Sequence, residues 1–381
     1  MRFAYALLLA AAPVAVMAPA IPAFARDTAA QAASVPNNAA LRAWFEAKYE
    51  EQILDSPLRL TSLGRKERYG EIDDLSLAAQ DKDLAWAKAS VEEMERTFDY
   101  ASLNAADKLS YDLWKYEYEQ AAKAAEWRDS GYVFTQMQGI HVFLPTSLIS
   151  QHRVDTAQDM RDYISRVGGI GRAIGQLVDI AEPRAANGVR PPYFAYDFVI
   201  AEATKLKSGA PFDGGADNAI WQDGKAKIAK LVEAGTITAA EGDAMRGQLE
   251  AALKGGYKAG YDRLVNFMTA DKPNAAKVAT GVGALPNGQA YYAHRLAAST
   301  TTDLTPEQVH QIGLDQGQRH VDAGRHTGRG PDLAVDDIER VGIDIERRVT
   351  LGETLAARPV CGHALAIQEP SRSQHESAGT D

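Results

Sequence analysis

His375-Glu376 opens the H-E-x-x-H pattern that sets two histidines on one helix face for zinc, with the glutamate as general base. Gly379 stands where the second histidine belongs. Cys361-Gly362-His363 brings a thiol and an imidazole together in the same C-terminal stretch, which offers little to order the groups behind a metal ligand. Cys361 is the only cysteine, which excludes an intrachain disulfide and a Cys-based zinc cluster, and no G-x-S-x-G elbow presents a serine nucleophile. Gly168-Gly169-Ile170-Gly171-Arg172-Ala173-Ile174-Gly175 invites comparison with a dinucleotide-binding turn. That turn needs a preceding strand and G-x-G-x-x-G spacing, whereas Thr156 to Val167 is amphipathic at helical spacing and the glycines miss the register. Close helix–helix approach is the expectation. Gly281-Val282-Gly283 lacks a following Lys-Ser/Thr and reads as a turn, and Glu92-Glu93 and Glu117-Tyr118-Glu119 read as solvated helix faces. His294 and His310 stand singly in the helical body. The residues by themselves assign no catalytic group and no metal ligand set.

The elements that would position such groups are helices. Leu41, Phe45, Tyr49 and Ile53 recur at spacing four, with Trp44 beside them. Asp81 to Phe98 and Asp107 to Trp127 repeat the pattern, the second through Leu109, Leu113, Trp114 and Tyr118. Tyr132-Val133-Phe134 and Ile140 to Leu144 are apolar runs bounded by Gly and Pro, and are expected as short strands or as an extended loop buried under helices. Helical spacing resumes at Met160, Ile164, Val167 and Ile174. It recurs at Met245, Leu249, Leu253, Tyr257, Tyr261 and Leu264, after the capping box Thr238-Ala239-Ala240-Glu241. Thr305-Pro306-Glu307-Gln308 is a second capping box with proline at the first helical position. The fold class expected is mainly α: a multi-helix domain over 37–318, with a few short strands or extended loops, and a disordered C-terminal tail over 319–381.

Composition bounds the rest. The chain has 381 residues, 45% of them hydrophobic, and a net charge of −10, which argues against a general nucleic-acid binder. Arg2, the apolar run Ala4 to Met17 and Ala23-Phe24-Ala25 before Arg26-Asp27 form a cleavable signal peptide over 1–25, followed by a small-residue linker over 26–36. Pro13, Pro19 and Pro22 break the run too early for a bilayer span, and no cysteine follows it to carry a lipid. A periplasmic or secreted protein with no membrane attachment after cleavage is expected. The last 63 residues, 319–381, contain none of the chain's 30 aromatic residues, eight arginines and no lysine, four of the eight histidines and the one cysteine. A hydrophilic disordered tail would explain the missing aromatic anchors. A reading-frame change near Gln318 in a GC-rich gene explains the abrupt exchange of Lys, Tyr and Phe for Arg, Gly, Ala and His, and is the preferred account.

Gly283-Ala284-Leu285-Pro286-Asn287-Gly288-Gln289-Ala290-Tyr291-Tyr292, followed by the stretch from Thr300-Thr301-Thr302-Asp303-Leu304-Thr305-Pro306 through His310 to Gly313-Leu314, is distinctive. It resembles the bacterial exported family called domain of unknown function 885. Ser56-Pro57-Leu58-Arg59-Leu60-Thr61 to Gly64 looks like that family's opening, and the region from Tyr163 to Pro192 is also similar. The resemblance runs from about Leu41 to Gln316. It implies a large helical exported protein with a zincin-like metallopeptidase half, whose H-E-x-x-P-G-H and E-G-W-A-x-Y-x-E type motifs lie downstream of the His310 helix. This sequence leaves the family pattern at about Gly317, where its composition also changes. The implied reaction is zinc-assisted peptide hydrolysis, for which this chain carries neither ligands nor base. Zinc is expected for full-length members and no cofactor for this chain. Tyr291, Tyr292, His294 and His310 are the candidates for a groove that takes peptides, with helix packing as the competing account of the aromatic pair. A non-catalytic periplasmic module that binds a peptide or protein is the alternative function.

Overall fold

In the computed structural model, residues 38–137 and 139–326 are described, the last seven of them by backbone alone. The proposed signal peptide and linker, Cys361, His363, His375 and nearly all of the divergent tail therefore lie outside the described residues. The chain divides into two units between Thr301 and Thr302. In the first are α1 (Ala39–Leu54), α2 (Pro57–Ser62), α3 (Leu77–Thr97), α4 (Ala105–Glu126), α5 (Ile140–Gln151), α6 (Ala157–Ala186), α7 (Tyr193–Leu206), α8 (Ala219–Glu233), α9 (Ala239–Ala252), α10 (Lys258–Asp271) and α11 (Gly288–Thr300). The described part of the second unit is essentially α12 (Pro306–His326). Among the described residues there is no β-strand, only an isolated bridge between Ala210 and Asp217.

The helix starts follow from local chemistry. Thr238 and Glu241 form the reciprocal capping box that opens α9. At α12 the Thr305 hydroxyl accepts the Gln308 amide at 3.2 Å, and the Gln308 side chain accepts the Thr305 amide at 2.8 Å. The larger core surrounds α6, which packs on α5, α8, α9 and α10. Met160, Val167 and Ile174 are buried there together with Met245, Leu249, Leu253, Tyr257, Tyr261 and Leu264, as their spacing predicts. A smaller core joins α1, α3 and α4 through Leu41, Met94, Leu103 and Tyr111, with the rings of Trp44, Phe45, Phe98 and Trp114 packed around it.

The glycine-rich stretch is a helix–helix seam. At Gly171 a Cβ would stand 1.9 Å from the Gly256 carbonyl oxygen, and at Gly260 one would stand 2.3 Å from the Gly171 oxygen. Opposite α6, residues Leu253–Tyr257 form a π-helical turn with Gly255 at φ −88°, ψ −111°. That turn carries Gly256 onto α6, so backbone meets backbone where a dinucleotide motif would have needed a strand and a loop.

Two expectations need correction. Ile140 to Leu144 is no strand; it is the first turn of α5. A short apolar run reads alike as a buried strand or a buried helix, and what decides here is the partner for one carbonyl. Pro145 has no N–H to return to the His141 carbonyl, and the Tyr261 hydroxyl from α10 donates to it instead at 2.5 Å. Tyr132-Val133-Phe134 is a loop. On α4, the stripe through Leu109 and Leu113 is not the buried face. Tyr111 and Asp107 point inward, with Trp114 beside them, and Leu109 and Leu113 stay 60% and 52% exposed. Asp107 is inward because its carboxylate accepts the Asn38 amide at 2.6 Å.

Candidate functional site

Within the first unit, the segment carrying Pro286 and Tyr291 packs on the preceding helices at two glycines. Gly188, at φ +86°, leaves room for the Pro286 ring, 3.5 Å from where its Cβ would be. Gly131 lies beneath the Tyr291 hydroxyl, which a Cβ there would meet at 3.1 Å. Tyr291 and His294, three apart on α11, share a face and meet Trp127 at the C-terminus of α4, with ring centroids 6.1 Å and 5.8 Å away and the imidazole stacked. Partial burial and the neighbouring Arg295 hold the His294 imidazole below its usual range, so the ring is neutral at pH 7. Tyr292 turns about 100° further round the helix and is 43% exposed. The structure thus brings Tyr291 and His294 together and sets Tyr292 apart. His310 lies exposed on α12, in the second unit.

Sequence reasoning missed what stands behind these rings. Arg184, near the end of α6, is 10% exposed, donates to the Asp129 carboxylate at 3.3 Å and to the Gly131 carbonyl at 3.2 Å, and lines a small, largely apolar space. Burial lowers its pKa, with Asp129 opposing that shift. Nothing local in Glu182-Pro183-Arg184 says that this arginine points inward. Trp127, a large ring at a helix end, was the one available signal.

Two further histidines are buried. His152 stacks on Tyr69 at 3.9 Å and shares a hydrogen bond with Arg166, whose guanidinium also donates to the Glu71 and Pro57 carbonyls and the Thr61 hydroxyl. Because Nδ1 accepts from Arg166, Nε2 carries the proton and donates to the Asp159 carbonyl. Burial pushes the His152 pKa down to about 4. The family-like opening Pro57 to Thr61 therefore serves as acceptor for a buried arginine.

His141 is fully buried, its Nε2 3.0 Å from Glu202 and its Nδ1 without a partner. Burial holds it neutral, so Nε2–H donates to the carboxylate. A histidine oriented by a carboxylate is part of a nucleophile triad. Among the described residues no hydroxyl or thiol bonds to Nδ1. Among the described residues no group of three or more His, Cys, Asp or Glu side chains is placed to hold a metal. The described residues therefore do not fit a zinc centre.

A family model described as bacterial protein of unknown function (DUF885) matches residues 57–328. The chain belongs to this family. Of solved structures, the crystal structure of "the putative lipoprotein from Colwellia psychrerythraea" is similar, with a TM-score of 0.61 at 15% identity over 82% of this chain, which speaks to fold alone. This chain spans 58% of that one. No curated protein matches it. Pro286, Tyr291 and the Pro57–Thr61 opening thus sit in a DUF885 member as packing contacts. No helix among the described residues is long and apolar enough to cross a membrane.

Proposed function

We propose that this chain is the helical portion of an exported peptide-hydrolase-like protein and that it cleaves no peptide by itself; a non-catalytic module that binds a peptide or protein is the competing reading. The observation that carries this reading is the uncovered stripe on α4. Leu109, Leu113 and Tyr116 recur at helical spacing with 60%, 52% and 41% of their surfaces exposed. Three large apolar side chains in a row on one helix mark a surface built to be covered. The compositional break near Gln318 and the family's implied zinc half support the same reading. On this account the reaction belongs to a zinc-bearing region encoded in another frame, and the signal peptide directs the product out of the cytoplasm.

The test uses the full chain, purified and dialysed against zinc. The expected result is no stoichiometric zinc by mass spectrometry and no hydrolysis of a mixed peptide library. Stoichiometric zinc with chelator-sensitive hydrolysis would overturn the proposal. Resequencing across codon 318 supplies the second arm. A one-base change that restores a frame encoding H-E-x-x-P-G-H supports truncation, and a clean frame with no such motif in any register refutes it.

A further inference from the structure

On α4, Leu109, Leu113 and Tyr116 line a shallow surface depression bordered by Asp112, Lys115 and Glu119. Those charges belong to a row, Lys108, Asp112, Lys115 and Glu119, that runs along one flank of the apolar stripe and alternates in sign. The other flank, Ala106, Ser110 and Glu117, carries one charge. Two members of the row are held at the surface by neighbours. The Asp112 carboxylate accepts from the Tyr100 hydroxyl at 3.0 Å, and the Lys115 ammonium donates to Glu95 on α3 at 2.7 Å while its side chain stays 45% exposed. A carboxylate has two acceptor oxygens and an ammonium three donors, so each of these contacts leaves capacity for a second.

We propose that a second copy of this chain covers the stripe, the two α4 helices pairing antiparallel about a two-fold axis. Such an axis sets the charged flank of one helix against the same flank of the other, reversed. Lys108 then meets the partner's Glu119, and Asp112 meets the partner's Lys115. Both pairs have the same centre, between Leu113 and Trp114, so one register satisfies all four contacts. At that centre Leu113 meets its own counterpart, with Leu109 and Tyr116 of each copy to either side. A parallel pair would set the charged row against the flank of Ala106, Ser110 and Glu117, where one carboxylate faces four charges. Three half-exposed side chains per copy fall short of the roughly 1,200 Å² that a stable complex buries. The dimer is therefore weak, with a dissociation constant on the order of 10–100 μM. The inference starts from the stripe that carries the reading above and adds what covers it; it does not depend on whether the chain hydrolyses peptides.

The experiment is sedimentation velocity on the full chain from about 1 to about 300 μM, a range that spans the expected constant, with thermal melts to confirm that each variant folds. The chain should pass from monomer to dimer across that range. Leu113→Lys, which sets two lysines against each other at the axis, should leave a monomer throughout. Asp112→Lys and Lys115→Glu, each alone, place like charges together and should weaken association at least tenfold. An equal mixture of those two variants should associate as the parent does, because each supplies the charge that the other now lacks. A folded parent chain that stays monomeric overturns the proposal and leaves the stripe to a different protein. A dimer that survives Leu113→Lys overturns the choice of surface. A dimer lost in Leu113→Lys but no tighter in the mixture than in the single variants overturns the antiparallel register. None of these results bears on zinc content or peptide turnover, so the reading above stands or falls separately.

Discussion

Replacing Gly171 by alanine sets two effects of opposite sign against each other. Within a helix, glycine is worse than alanine by about 1 kcal/mol, so on propensity alone the substitution stabilises α6. At the crossing with the 253–257 turn, however, the new methyl would stand 1.9 Å from the Gly256 oxygen and 2.8 Å from the Tyr257 Cα, where ordinary contact begins near 3.4 Å. The shortfall of about 1.5 Å is against backbone, which cannot swing aside as a side-chain end can. Relief requires the two elements to separate, and a gap of roughly 1 Å forfeits up to half of each dispersion contact along the seam. Val167, Ile170, Ile174, Tyr257, Tyr261 and Leu264, all buried, lie beside it. Overpacking a core typically costs about 1–3 kcal/mol, and a backbone clash falls at the upper end. Less the roughly 1 kcal/mol gained in propensity, the expected net loss is about 2 kcal/mol, or roughly 4–8 °C in Tm. Gly168→Ala is the internal control. It lies one turn earlier on the same helix with nothing within 4 Å of its Cβ position, and should be neutral or stabilising by up to about 1 kcal/mol. Urea unfolding monitored by circular dichroism separates the two. A Gly171→Ala protein as stable as the Gly168→Ala protein would refute the packing argument. Gly260→Ala opens the same gap from the other side, so the double variant should lose less than the two singles together.

Acid should destabilise the fold through His152. Its folded pKa of about 4 lies below the ordinary 6.5, so the unfolded chain binds the extra proton first. The stability held at pH 7 is lost as pH falls from about 6.5 to about 4, by up to about 3 kcal/mol. A His152→Gln variant should flatten that slope in urea titrations across the range, and an unchanged slope would exclude His152 as its source. Tyr261→Phe strands the His141 carbonyl, which Pro145 cannot serve, and should cost about 1–3 kcal/mol by thermal unfolding. A loss below about 0.5 kcal/mol would mean that another donor moves in. On α4, Leu113→Lys should leave stability within about 0.5 kcal/mol and reduce self-association in light scattering. A large destabilisation would show that Leu113 is core.

Helical class, helix starts and the glycine seam are local properties, which is why they were legible before any coordinates. A capping box is closed within four residues, as at Thr238 and Thr305, and a buried face repeats every three to four. Four glycines inside an otherwise periodic helix have few physical explanations, and close approach is the one consistent with helix on both sides. What could not be read is what each side chain meets from far along the chain. Whether Ile140 to Leu144 coils or extends turns on a hydroxyl 120 residues away. Which stripe of α4 faces inward turns on Asp107 meeting the Asn38 amide, and polar burial of that kind leaves no period in the sequence. The rings of Tyr291 and His294 could be named from the motif that holds them. Arg184 and Asp129 come from the end of α6 and the loop after α4, and only folding sets them side by side. Periodicity records which surfaces a segment buries; the partner that buries them is chosen by contacts far apart in sequence, and there tertiary structure alone decides.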